Sequence, residues 1–159
     1  MTNDEKFMLE AIEQAKKALE LDEVPIGAVV VKDGEIVGTG FNRRETGKNA
    51  LYHAEIAAID EACKKLGGWR LWQCELYVTL EPCPMCAGAI INSRIKRVVY
   101  GCKDCKAGSC ASVIDLFGLP YNHRPECIGG VLEDECSAML SNFFKMLRQR
   151  KNAKKWPPD

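Results

Sequence analysis

A chain of 159 residues with 47% hydrophobic and 28% charged residues has the makeup of a globular protein large enough to bury a core without covalent staples. Its 22 basic and 22 acidic residues cancel, so net charge draws it to neither nucleic acid nor an acidic surface, and any such partner must be met by local clusters. Met1 to Lys6 is polar and no long apolar run follows, which reads as no signal peptide and no membrane span and points to the cytoplasm. In that compartment the nine cysteines read as thiols, and no disulfide-linked partner is expected.

Phe7, Met8, Ala11, Ile12, Ala15, Ala18 and Leu19 recur at helical spacing and predict an amphipathic helix over 4–21, with Asp4 as its N-cap. Gly27 to Val31 and Glu35 to Gly40 flank Lys32-Asp33-Gly34, a hairpin signal because Asp and Gly tolerate positive φ. Asn42 to Asn49 is polar and basic and reads as a loop. Ala54, Ala57, Ala58, Ala62 and Leu66 then form a helix of small residues, able to lie close on a sheet and ended by Gly67-Gly68.

Glu75 to Leu80 is a short strand stopped by Glu81-Pro82, and Ala87 to Ile91 follow as an apolar helix with Pro84 in its first turn. Arg97 to Gly101 predicts a fourth strand, Ser112 to Phe117 a short helix and Cys127 to Leu132 a fifth strand. Glu133 to Lys151 carries Cys136, Met139, Leu140, Phe143, Phe144 and Leu147 at helical spacing, and Lys155-Trp156-Pro157-Pro158 is expected to fray. The order predicts one α/β domain over 1–159, a three-layer α/β/α stack on a mixed sheet of about five strands. Strands joined through the helices after His53 and Cys83 should run parallel, bringing the loops before those helices to one edge.

At that edge the chemistry concentrates. Cys83 and Cys86 are spaced so that both sulfurs face one point, at a helix start whose free amides favour thiolate. With His53 they make three soft ligands, and a zinc site with three protein ligands and one open position is catalytic rather than structural. Glu55 stands beside them as the acid/base that would take a proton from a metal-activated water and pass it to a leaving nitrogen. Cys102-Lys103-Asp104-Cys105 is a second Cys-x-x-Cys, but no clear helix follows it and only His123 is spare, so it reads as non-metal. Cys63, Cys74, Cys110, Cys127 and Cys136 read as small packing residues, and His123 as a hydrogen-bonding loop residue.

The pairing of His53-Ala54-Glu55 with Pro82-Cys83-Pro84-Met85-Cys86 is the signature of zinc-dependent nucleobase deaminases. With Asp22 to Val29, Gly40 to Arg43, Leu76 to Ile90, Ser93-Arg94-Ile95, Arg97 to Gly101, Asp104, Asn122-His123-Arg124, Asp134-Glu135-Cys136 and Phe143-Phe144, nearly the whole chain resembles the bacterial tRNA-specific adenosine deaminases, which have a cytidine deaminase-like fold. The resemblance implies hydrolysis of the wobble adenosine of a tRNA anticodon loop to inosine and ammonia by a homodimer with one zinc per subunit. His53, Cys83 and Cys86 would hold the metal and Glu55 would shuttle protons. Asn42 and Asp104 would contact substrate, Asp104 near a sugar of the loop.

The same signature occurs in guanine and other free-base or nucleoside deaminases, which are the alternative reading. The family's Asp-Pro-Thr-Ala before its histidine is replaced here by Asn49-Ala50-Leu51-Tyr52, a departure that bears on the pocket-side loop; Tyr52 reads as a base-stacking or a packing residue. Phosphates of a splayed loop need only local cations. Arg43, Arg44 and Lys48 beside the site are candidates, as are Lys145, Arg148, Arg150, Lys151, Lys154 and Lys155. The latter group reads equally as the basic end of a helix whose acids, Glu133 to Glu135, sit at its start.

Overall fold

The computed structural model describes residues 1–154, with side chains through residue 152; the expected fraying of 155–158 lies outside the described residues. The elements are α1 (Asn3–Glu20), β1 (Gly27–Lys32), β2 (Glu35–Phe41), α2 (Ala54–Leu66), β3 (Cys74–Leu80), α3 (Pro84–Asn92), β4 (Arg97–Cys102), β5 (Glu126–Gly129) and α4 (Glu133–Lys154), with a 3-10 turn at Leu116–Gly118. The five strands lie in the order β2-β1-β3-β4-β5. β1 is antiparallel to both its neighbours, whereas β3, β4 and β5 pair in parallel. Four strands therefore run one way and β1 alone opposes them, so the carboxyl ends of β2, β3 and β4 share one edge.

Strand alternation divides the apolar residues between the two faces. Ala28, Val30, Leu76, Val78 and Val98 pack with Ala54, Ala58 and Ala62 of α2 and Ala87, Ile90 and Ile91 of α3. Val29, Val31, Tyr77 and Val99 pack with Phe7, Met8, Ala11 and Ile12 of α1 and Cys136 of α4. The expected three-layer mixed α/β sheet is thus present. No helix among the described residues is long and apolar enough to cross a membrane.

α2 approaches β2 closely because both surfaces are small. A Cβ at Gly40 would run into the Ala54 carbonyl, and one at Gly38 into the Ala58 carbonyl. At the opposite edge of the sheet Arg97 bridges Asp4 (2.7 Å) and Glu75 (2.8 Å), and the Tyr77 hydroxyl donates to Asp4 at 2.9 Å. This partly buried cluster ties the start of α1 to β3 and β4, and the Arg97 hydrogen bonds hold the Asp4 carboxyl below its usual value.

Three expectations are corrected. The N-cap of α1 is Thr2, not Asp4: the Thr2 side chain accepts from the Glu5 amide, and Glu5 reaches back in a capping box. No helix forms over Ser112 to Phe117. The amides of Cys110, Ala111 and Ser112 instead donate to the Glu81 carboxylate, leaving only the 3-10 turn capped by Asp115. β5 stops at Gly129, because Gly130 and Leu132 adopt positive φ (91° and 53°) and turn the chain into α4.

Gly40→Ala should force α2 outward, lowering unfolding free energy by about 1–3 kcal/mol in a urea melt. An unchanged midpoint would mean that this contact is not tight.

Candidate active site

Two chain crossings at the shared sheet edge build the site. β2 ends at Phe41, and the chain loops through 42–52 to His53, the N-cap of α2, with Glu55 in the first turn. β3 ends at Leu80, and Glu81-Pro82 leads to Cys83, the N-cap of α3, with Pro84 opening the helix and Cys86 in its first turn. Both helices start at the same edge, so their first turns face each other. His53 Nδ1 lies 3.6 Å from the sulfur of Cys83 and 3.6 Å from that of Cys86.

The three donor atoms lie within 4.8 Å of one another, the sole such group of three among the described residues. Two sulfurs and an imidazole suit a thiophilic divalent ion such as zinc. The Cys83 thiol is pushed down by its hydrogen bond with Cys86, with further help from His53 and the Cys86 backbone amide, while Cys86 is pushed up as the partner that keeps the proton. A divalent ion held by two cysteines requires both as thiolates, so its binding would release their protons. The donor chemistry therefore fits a metal.

Glu55 is buried beside this group, and burial is the chief reason its carboxyl rises to about 7. The group opens into a cavity of about 730 Å³, whose wall includes Asn42, Arg44, His53, Glu55, Cys83 and Asp104. Every residue expected at the site thus meets there, with Cys86 fully buried behind the wall. Asn42 is a buried part of the wall, its amide donating to the Val24 carbonyl at 3.2 Å and its oxygen accepting from the Arg44 amide at 3.1 Å. Asp104 accepts from the amides of Lys106 (3.0 Å) and Ala107 (3.2 Å) through one oxygen.

Of the three candidate cations near His53, Arg44 lines the cavity, while Arg43 and Lys48 are not part of its wall. Asn49 supports the loop before His53, its side chain accepting from the Leu51 amide at 2.9 Å. An Asx turn of this kind is open to Asp or Asn alike, so the altered loop sequence keeps a built turn. Tyr52 lies over Gly47 and away from the cavity wall, which favours the packing reading. The second Cys-x-x-Cys divides: Cys102 is buried and donates to the Thr79 carbonyl at 3.5 Å, and Cys105 is exposed. His123 hydrogen-bonds the Ile95 carbonyl at 2.7 Å.

Several wall residues escaped the sequence reading. Lys103 and Lys106 come from the loop after β4, and Leu140 and Phe144 from α4. Adjacent phenylalanines were the available signal, because a helix stripe uses one of them: Phe143 is buried and Phe144 is left exposed. Two buried carboxylates brace the wall. Glu23 accepts from the amides of Glu45 and Thr46 and from the Thr46 hydroxyl, and Glu81 grips the loop after β4.

A family model described as MafB19-like deaminase matches residues 2–148. The tRNA-specific adenosine deaminase of Bacillus subtilis (strain 168) is 54% identical over 154 residues, covering 96% of this chain and 96% of its own. This chain belongs to the tRNA-specific adenosine deaminase family. A solved structure from work on tRNA:A34 deaminases shares the fold with a TM-score of 0.82 at 45% identity, covering 85% of this chain and 99% of that one. The guanine deaminase of Nitrosomonas europaea is more distant, at a TM-score of 0.73 and 26% identity, covering 87% of this chain and 83% of that one. The deaminase fold is common to both.

Cobalt(II) added to metal-free protein should bind one equivalent and give a thiolate-to-metal charge-transfer band. Cys86→Ser should weaken both the band and the binding; an unaltered spectrum would remove Cys86 from the ligand set.

Proposed function

We propose that this protein hydrolyses the exocyclic amine of the wobble adenosine in a tRNA anticodon loop, producing inosine and ammonia. The observation that carries the reading is the three-donor group with a buried carboxyl beside it, opening into a cavity whose wall also holds Arg44, Lys103 and Lys106. His53, Cys83 and Cys86 would hold one zinc per subunit, which when bound supplies Lewis acidity that makes water a usable nucleophile near pH 7. Glu55 moves the protons. A carboxyl poised near neutrality accepts one from the attacking water at a carboxylate oxygen and gives it up to the leaving nitrogen.

Asn42 has one amide hydrogen beyond its bond to Val24, and Asp104 has a second oxygen beyond its loop contacts. These atoms suit a base edge and a sugar hydroxyl respectively. A flipped base in this cavity leaves its flanking phosphates at the rim, where the three cations are. A second cleft of about 330 Å³ continues from Lys106 and Phe144 to Arg148 and Lys151 on α4, which supports the phosphate reading of the basic helix end. Glu133, Asp134 and Glu135 occupy the first turn of α4, so the charge layout also complements the helix dipole.

The single domain is expected to act in the cytoplasm as a homodimer. Exposed Val113, Ile114, Leu119 and Tyr121, all between β4 and β5, supply apolar surface for a second copy. Sedimentation at the mass of one chain would overturn the dimer.

An anticodon stem-loop with a wobble adenosine, incubated with zinc-loaded protein, should yield inosine and ammonia, with KM rising as salt is added. Glu55→Ala should keep the metal and lower kcat by at least about 100-fold, the usual span of a lost acid/base. Xanthine from guanine with no inosine from RNA would establish the guanine-deaminase reading instead.

A further inference from the structure

Glu81 is fully buried yet forms no ion pair among the described residues. A buried carboxylate without a cation is costly unless hydrogen-bond donors replace water. Five do so here. One oxygen, Oε1, accepts from the Asp104 amide at 3.2 Å and the Ser112 hydroxyl at 2.6 Å. The other, Oε2, accepts from the amides of Cys110 (3.2 Å), Ala111 (2.9 Å) and Ser112 (2.9 Å).

All five donors belong to one loop, which leaves β4 and supplies Lys103, Asp104, Lys106 and Ala107 to the cavity wall. Between Cys102 and the turn at Leu116 this loop has no helix or strand of its own, so its shape rests on such contacts. Its other tie to the same segment is the Ser109 amide donating to the Pro82 carbonyl at 2.8 Å. Gly108 lies so close to the Glu81 carboxyl and the Asp104 carbonyl that a Cβ there would collide with both. On the chain, Glu81 is separated from Cys83 by Pro82 alone. One side chain therefore joins the segment that carries two metal-binding sulfurs to the wall that faces substrate.

We propose that Glu81 is a positioning residue that sets the loop 103–112 against the metal-bearing segment, so that substrate binding depends on it far more than proton transfer does. The proposal rests on the deaminase reading above for its substrate. Glutamine at this position gives it a sharp form. A carboxamide retains one acceptor oxygen, and three amides on the Oε2 side against one on the Oε1 side determine where that oxygen goes. The NH2 then faces Oε1's partners, where the Ser112 hydroxyl can turn to accept but the Asp104 amide cannot. Glu81→Gln thus releases the substrate-facing end of the loop and keeps the far end.

The test compares zinc-loaded wild type with Glu81→Gln on the wobble-adenosine stem-loop. KM should rise about tenfold, as expected for one lost hydrogen bond to a charged group, with kcat falling much less and zinc content equal. Hydrogen exchange should quicken at the Asp104 amide while Cys110, Ala111 and Ser112 stay protected. Gly108→Ala, whose methyl would collide with both the Glu81 carboxyl and the Asp104 carbonyl, should disturb the same end of the loop and raise KM in the same direction. A fall in kcat at constant KM, a loss of zinc, or unchanged kinetics and exchange would overturn the proposal, as would loss of cooperative folding in both variants. If wild type failed on the stem-loop, the substrate reading would fall, and the exchange pattern would still decide the role of Glu81.

Discussion

Three donor atoms from two distant chain segments must come within bonding reach of one point, and that demand governs the molecule. It is met by starting two helices at one sheet edge. Because β2 and β3 run in the same direction, the chain leaving each of them enters its helix on the same side, and His53 and Cys83 become the two N-caps. An N-cap points its side chain past the helix end, where backbone amides are unpaired. The position that suits the geometry also favours thiolate, so placement and reactivity come from one feature.

The rest of the fold keeps those two helix starts in place. Glycines 38 and 40 let α2 settle onto β2, where larger side chains would displace it and His53 with it. The Arg97 cluster anchors the far edge of the sheet. Around the cavity, where the chain is irregular, buried carboxylates substitute for secondary structure: Glu23 collects the donors of the loop after β2, and Glu81 those of the loop after β4. An acceptor with two oxygens and several lone pairs can gather many amides, which suits it to holding a wall that cannot be helix or strand.

Family membership separates two kinds of residue at the site. The three-donor group and Glu55, proposed above to carry the deamination, are placed by two helix starts. Asn42, Arg44, Lys103, Asp104, Lys106 and Phe144 supply most of the polar and aromatic remainder of the wall, and they come from loops and from the last helix. Loop positions such as these are where replacement costs the fold least.

Local patterns in the sequence determined most of the elements and the metal signature. Helical spacing marked α1, α2 and α4, the Asp-Gly turn marked the hairpin, and Pro82 to Cys86 with His53-x-Glu55 marked the chemistry, because each of these depends on neighbours a few residues apart. The N-cap of α1 was misplaced by two residues since Thr2 and Asp4 are both competent caps, and Arg97, distant in sequence, claims Asp4. The region 112–117 looks helical by composition, yet Glu81, from across the site, takes the amides of Ser112 and of the two residues before it, and no local pattern contains that contact. Phe144 and Lys106 likewise became wall residues only when α4 and the loop after β4 were brought together over the sheet edge. The sequence by itself determined the deaminase signature of His53, Glu55, Cys83 and Cys86; the tertiary structure decided what encloses these residues, because the enclosing contacts join segments that only the folded sheet makes neighbours.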